Sequence, residues 1–115
     1  MMDEILKQTL LYDFYGELLT EHQKEIYEQA VLEDYSLSEI AKEAGISRQG
    51  VHDMIKRCTK TLEGYEEKLH LVEKFVSVKQ KVSEIDELLE NYEHQDEKDL
   101  IAKVKRISCE IIEEL

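Results

Sequence analysis

Residues 36 to 57 read SLSEIAKEAGISRQGVHDMIKR, and this stretch limits the folds open to the chain more than any other. Ser36 with Glu39 three residues later is a capping-box signature, in which two side chains satisfy backbone N–H groups left without partners at a helix start. Leu37, Ile40, Ala41 and Ala44 then follow at helical spacing. Gly45 supplies the positive φ of a tight turn, Ile46 anchors that turn, and Ser47 caps the next helix. Two short helices that cross steeply need a small residue at the crossing, and Ala41 stands there. Val51 with Met54 or Ile55 pins the second helix. The pattern predicts a helix-turn-helix.

The rest of the chain reads as helix too. Proline is absent and glycine occurs four times, so nothing resembles a series of β-turns. Ile5, Leu6, Leu10 and Phe14 mark an opening helix that Gly16 can end. Thr20 with Gln23 forms a second capping box, ahead of a helix carrying Ile26, Ala30 and Val31.

Beyond the motif, Val51, Ile55, Cys58, Leu62, Tyr65 and Leu69 form one apolar stripe. Leu71, Phe75, Val78, Val82, Ile85, Leu89 and Tyr92 form another at near-heptad spacing. The two stripes share no register, which predicts a break or sharp bend near His70. A last stripe runs through Leu100, Val104, Ile107 and Ile111, with Ile101, Ile112 and Leu115 beside it. The polar connector from Glu93 to Asp99, with Asp96 or Asp99 as N-cap, folds the last two helices back antiparallel.

The expected architecture is therefore all-α. A chain of 115 residues is read as a single domain 1–115. Residues 1–69 form a helix-turn-helix unit with an N-terminal helix, of winged-helix type without the wing. Residues 70–115 form a C-terminal helical hairpin packed on the end of the motif helix. Neither a membrane-spanning run nor a secretion signal is legible, so a soluble cytoplasmic protein is expected. Cys58 and Cys109 fall at apolar helical positions and are expected as buried, reduced thiols.

Charge bears on the ligand. The chain carries 15 basic and 27 acidic residues, a net of -12, which repels a nucleic-acid duplex at long range. The charges are not evenly spread. Residues 1–46 hold 3 basic and 11 acidic side chains, 47–81 hold 8 and 5, and 82–115 hold 4 and 11. The one net-positive segment starts at the second helix of the motif, as a local contact with phosphate requires. Solvation of a long helix is the plainer reading of the same charges.

With Val51, Ile55 and Cys58 facing inward, the outer face holds Arg48, Gln49, His52, Asp53, Lys56, Arg57 and Lys60. The N-terminal residues of such a helix meet base edges. Arg48 suits guanine and Gln49 suits adenine, while Ser47, Lys56, Arg57 and Lys60 suit phosphates. The candidate contact set is thus Ser47, Arg48, Gln49, His52, Lys56, Arg57 and Lys60. Two residues oppose a strong, sequence-specific reader. Asp53 sets a carboxylate in the contact face, and Gly50 weakens the helix by roughly 1 kcal/mol relative to Ala. A purely structural or protein-binding tri-helical unit stays open.

No enzymatic activity, cofactor or metal is expected. His22, His52, His70 and His94 are scattered, and no Cys or carboxylate accompanies them at a recurrent ligand spacing. Glu90 and His94 are one helical turn apart, but a solvated helix end is the better reading. Two further roles stay open for the C-terminal half. Glu84, Asp86, Glu87 and Glu90 offer an acidic surface to a basic partner. The stripes from Leu71 to Tyr92 and from Leu100 to Leu115 suit self-association, and a homodimer is the expected state.

Leu19-Thr20-Glu21, Ser36-Leu37-Ser38-Glu39-Ile40-Ala41 and Gly45-Ile46-Ser47-Arg48-Gln49-Gly50-Val51 resemble region 4 of bacterial sigma factors, over roughly Leu18 to Leu62. A longer pattern resembles the YlxM family nearly end to end. It comprises Tyr12-Asp13-Phe14-Tyr15-Gly16, Arg48-Gln49-Gly50-Val51-His52-Asp53 and Tyr65-Glu66-Glu67-Lys68-Leu69. That family consists of small helix-turn-helix proteins of Gram-positive bacteria, encoded beside the genes for the signal recognition particle GTPase. The resemblance implies a regulatory role in that pathway. Two readings follow within that pathway: a regulator that binds DNA or the RNA of the particle through Ser47 to Lys60, or, as the alternative, a module that docks its acidic helices on the particle's GTPase or another basic partner.

Overall fold

The computed structural model describes residues 3–94 and 96–115, and these form six α-helices with no strand among the described residues. The chain divides into two compact units, Met1–His70 and Leu71–Leu115.

The first unit holds four helices. α1 spans Glu4–Tyr15, and its N-cap Asp3 accepts a hydrogen bond from the Ile5 N–H. A single 3-10 turn over Gly16–Leu18 leads to α2, Glu21–Tyr27, which opens on the expected Thr20/Gln23 capping box. α2 runs directly into a π-helical turn, Glu28–Leu32. α3, Leu37–Ala44, opens on the Ser36/Glu39 box and ends at Gly45, whose φ is 71°. α4, Arg48–Leu69, starts from Ser47, whose hydroxyl accepts the Gly50 N–H at 2.9 Å.

The helix-turn-helix is therefore α3, Gly45 and the start of α4. Its core is Ile26, Ile40, Ala41 and Val51, with Leu37, Met54 and Ile55 packed against it. Burial of side chains of this kind contributes roughly 1.5–3 kcal/mol each. Where α1 meets α4, Leu11, Tyr15, Cys58 and Leu62 are buried. Three tyrosines tie the helices together there. Tyr12 stacks on Tyr27 at 5.6 Å, the Tyr12 hydroxyl donates to Glu28, and the Tyr15 hydroxyl donates to Glu66.

Several sequence expectations need correction here. Ile5, Leu6 and Phe14 do not form the core face of α1; they are exposed, and Leu11 and Tyr15 are buried instead. A helix rich in adjacent apolar residues offers two competing stripes, and the tertiary partner selects one. Gly16 ends α1 without left-handed backbone. Its φ is -56°, and glycine fits because a Cβ there would lie 2.8 Å from the Tyr12 ring. Ile46 is over a third exposed, so it anchors the turn only in part.

α4 ends at His70, as the change of register required. His70 takes left-handed backbone with φ 57°, and its N–H donates to the Glu66 carbonyl at 2.8 Å. Histidine is among the non-glycine residues that tolerate this region.

The second unit is a hairpin of α5, Leu71–Glu90, and α6, Glu97–Glu114, with a short 3-10 turn, Tyr92–His94, between them. Asp96 occupies the N-cap position of α6 without a side-chain bond. The helices run antiparallel. Ser77 and Lys81, before and at the middle of α5, meet Glu114 at the end of α6, while Leu88 near the end of α5 lines one groove with Ile107, earlier in α6. Leu100 and Ile107 are buried, as the last stripe predicts. The stripe on α5 splits, however. Val78 and Ile85 are half-buried, whereas Val82, Leu89 and Tyr92 stand exposed. Cys58 is buried as expected, but Cys109 is exposed, because it lies off the Leu100–Ile107 face. The His94 side chain lies outside the described residues, and so does its expected relation to Glu90.

Candidate nucleic-acid interface

The outer face of α4 is built by local rules. Ser47 caps the helix, and Val51, Ile55 and Cys58 turn inward. At about 100° per residue, Gln49, His52, Lys56 and Lys60 then fall within roughly 80° of arc on the far side. Asp53 sits at the edge of that arc, and Arg48 and Arg57 flank it on opposite sides. All seven of these residues are exposed.

The cations of this face are uncommitted. Arg48, Lys56, Arg57 and Lys60 make no salt bridge within the described residues. Elsewhere Lys7 lies 3.4 Å from Glu63, Lys24 lies 3.0 Å from Glu17, and Lys103 lies 3.0 Å from Asp99, whereas Lys42, Lys68, Lys98 and Lys105 are likewise without a salt bridge among the described residues. Cations that stay unpaired in an acidic protein keep their full charge for an incoming phosphate.

The polar members are partly engaged already. Gln49 Nε2 donates to Asp53 Oδ1 at 3.0 Å, and His52 Nδ1 lies 3.7 Å from the same oxygen. Asp53 is thus tied to its own helix. Ser47 Oγ accepts the cap bond from Gly50, which leaves only the hydroxyl hydrogen for a phosphate. A Cβ at Gly50 would stand 3.1 Å from Ser47 Oγ, a tight contact beside the cap.

A shallow groove runs beside this face, lined by His52, Lys56 and Lys60 of α4 and by Glu4 and Gln8 of α1. The carboxylates of Glu4 and Glu63 also border it. They set negative charge beside Lys56 and Lys60. Sequence spacing gave no sign of this rim, because Lys7 and Glu63 meet across more than fifty residues of chain.

The family described as "Putative helix-turn-helix protein, YlxM / p13 like", UPF0122, matches residues 2–108. A UPF0122 protein of Caldanaerobacter subterraneus subsp. tengcongensis is 53% identical over 89 residues, covering 77% of this chain and 76% of that protein. One from Thermoanaerobacter sp. is 44% identical over 115 residues, covering 100% of this chain and 98% of its own. One from Listeria welshimeri is 40% identical over 109 residues, covering 93% and 99% respectively.

Proposed function

This chain belongs to the UPF0122 family of YlxM/p13-like helix-turn-helix proteins, and from that premise we propose that it is a non-catalytic regulator that binds nucleic acid through the segment from Ser47 to Lys60. The observation that carries this reading is the set of four exposed cations, Arg48, Lys56, Arg57 and Lys60, none of them salt-bridged within the described residues. Lys56, Arg57 and Lys60 contact phosphates and position the helix. Arg48 and Gln49, in its first turn, meet base edges, and His52 lies between the two groups. The Ser47 hydroxyl adds a phosphate contact at the helix start.

Affinity on this account is modest and local. The acidic remainder of the chain opposes non-specific binding, and Asp53 adds a carboxylate beside the bases. The ligand is a DNA duplex or the structured RNA of the signal recognition particle, and the setting is the cytoplasm. Among the described residues no helix is long and apolar enough to cross a membrane. The test is binding of labelled duplex DNA and structured RNA by the native chain and by an Arg48→Glu, Lys56→Glu, Arg57→Glu triple variant. The variant should lose at least tenfold in affinity, about 1.4 kcal/mol. Equal binding by the two proteins would refute the assignment.

A second reading rests on Glu84, Asp86, Glu87 and Glu90, all exposed on the second half of α5. They suit docking on a basic partner such as the GTPase of the signal recognition particle. Capture of that GTPase by the native chain, lost when the four are neutralised, would support it; unchanged capture would exclude this surface.

A further inference from the structure

The hairpin leaves one face of itself uncovered. Val82, Leu89, Tyr92, Ile101, Ile112 and Leu115 are each half or more exposed. On α5, Val82 and Leu89 are seven residues apart and share a side of the helix. On α6, Ile101, Ser108 and Leu115 repeat at the same interval, with Ile112 beside them. The two rows adjoin, since Leu89 lines one groove with Leu100, Ile101, Val104 and Ser108. An apolar band therefore runs along both helices on one side. A two-helix hairpin alone has one contact seam and no second layer to bury such a band.

Charge identifies what covers it. The first half of α5, residues 71–81, carries Lys74, Lys79 and Lys81 against the single Glu73; Lys81 is paired with Glu114 of α6, which leaves Lys74 and Lys79 to a partner. The second half, residues 82–90, carries Glu84, Asp86, Glu87 and Glu90 and no cation. A helix basic at one end and acidic at the other complements a copy of itself laid antiparallel. We propose that the band is the interface with a second copy of this chain, the two hairpins forming a four-helix layer with α5 antiparallel to its counterpart.

Val82 lies on the two-fold axis of that pair. Lys79 of each chain then approaches Asp86 of the other, in the flanking position where opposite charges set partner and orientation in paired helices. The face is isologous, as a two-fold interface must be. Lys79 also sits 5.9 Å over the Phe75 ring, which holds its ammonium at the edge of the band. This pairing stands independently of the nucleic-acid reading, and the two can fail separately.

The full chain is examined by sedimentation equilibrium from about 1 to 100 µM, a range that reveals a dissociation constant in the micromolar region. The native protein should reach twice its 13.6 kDa mass. Val82→Glu should be monomeric while keeping its helical circular dichroism, because Val82 is already half exposed. Lys79→Glu alone and Asp86→Lys alone should each weaken pairing about tenfold. The double variant Lys79→Glu, Asp86→Lys should recover it. A native chain that stays monomeric overturns the proposal, as does a Val82→Glu protein that pairs like the native one. Failure of the double variant to recover overturns the antiparallel register, and a different protein bound at this face by a monomeric chain overturns the choice of occupant.

Discussion

Gln49 and Asp53 are joined on the outer face of α4 by a 3.0 Å hydrogen bond, amide to carboxylate, one helical turn apart. The contact sets the limits of the proposed reader. It orients the Gln49 amide, and it places a fixed negative charge where bases and phosphates would approach. Asp53→Asn keeps a hydrogen-bonding group in place and removes the charge. Affinity for nucleic acid should rise about three- to tenfold at low salt, and the gain should shrink as salt screens it. Fluorescence anisotropy with a labelled duplex or RNA hairpin reads this directly; no change at low salt would place Asp53 outside the contact.

The cap at the start of α4 makes a prediction in two parts. Ser47→Ala removes the bond to the Gly50 N–H and should cost about 1 kcal/mol in urea unfolding. Gly50→Ala in the native background should give less than the roughly 1 kcal/mol that helix propensity alone offers. Its new Cβ would crowd the Ser47 hydroxyl at 3.1 Å. In the Ser47→Ala background the crowding disappears, and the full gain should return.

These caps were legible in the sequence because they are local. Ser36 with Glu39, Thr20 with Gln23 and Gly45 with Ser47 each act through the backbone within three residues, and all form. The break at His70 was legible for a related reason, since two apolar stripes out of register cannot share one straight helix. What sequence could not supply was the choice between adjacent apolar residues. Ile5, Leu6 and Phe14 mark α1 in the sequence but are exposed, and Leu11 and Tyr15 are buried, because the partner helix decides which apolar residues are covered. The rim of Glu4, Gln8 and Glu63 was hidden for the same reason, being assembled from distant segments. The residues of the exposed outer face themselves follow from helical geometry once Val51 and Cys58 are known to point inward.

Gly16 is held by packing. A Cβ at that position would meet Tyr12 Cε1 at 2.8 Å, and the ring cannot yield easily because it stacks on Tyr27 and donates to Glu28. Gly16→Ala should therefore destabilise the protein by about 1–3 kcal/mol, although alanine is the better helix former. In a Tyr12→Leu background the penalty should largely vanish. A stabilising effect in the native background would contradict this packing.

The hairpin carries an acid-sensitive contact. Glu114 is held below its ordinary value of 4.5 by the Ser77 hydroxyl first and by Lys81 second. A carboxyl whose folded value is lowered contributes stability that is present above the unfolded value and is lost as pH falls through the folded one. The difference in stability between the native chain and Glu114→Gln should thus be constant from neutral pH down to about 5, then close under further acidification. Urea unfolding across that range measures it, and a difference that does not depend on pH would show that the contact adds nothing.

The central claim is that an acidic protein contacts a polyanion through one uncommitted cationic face, and the salt dependence of binding tests it most directly. Three phosphate contacts, by Lys56, Arg57 and Lys60, predict that log K for duplex DNA falls against log salt with a slope of about -3. Changing Lys60 to Ala should reduce that slope by about one. Binding that is absent, or that does not vary with salt, would contradict the assignment of α4 as a nucleic-acid interface.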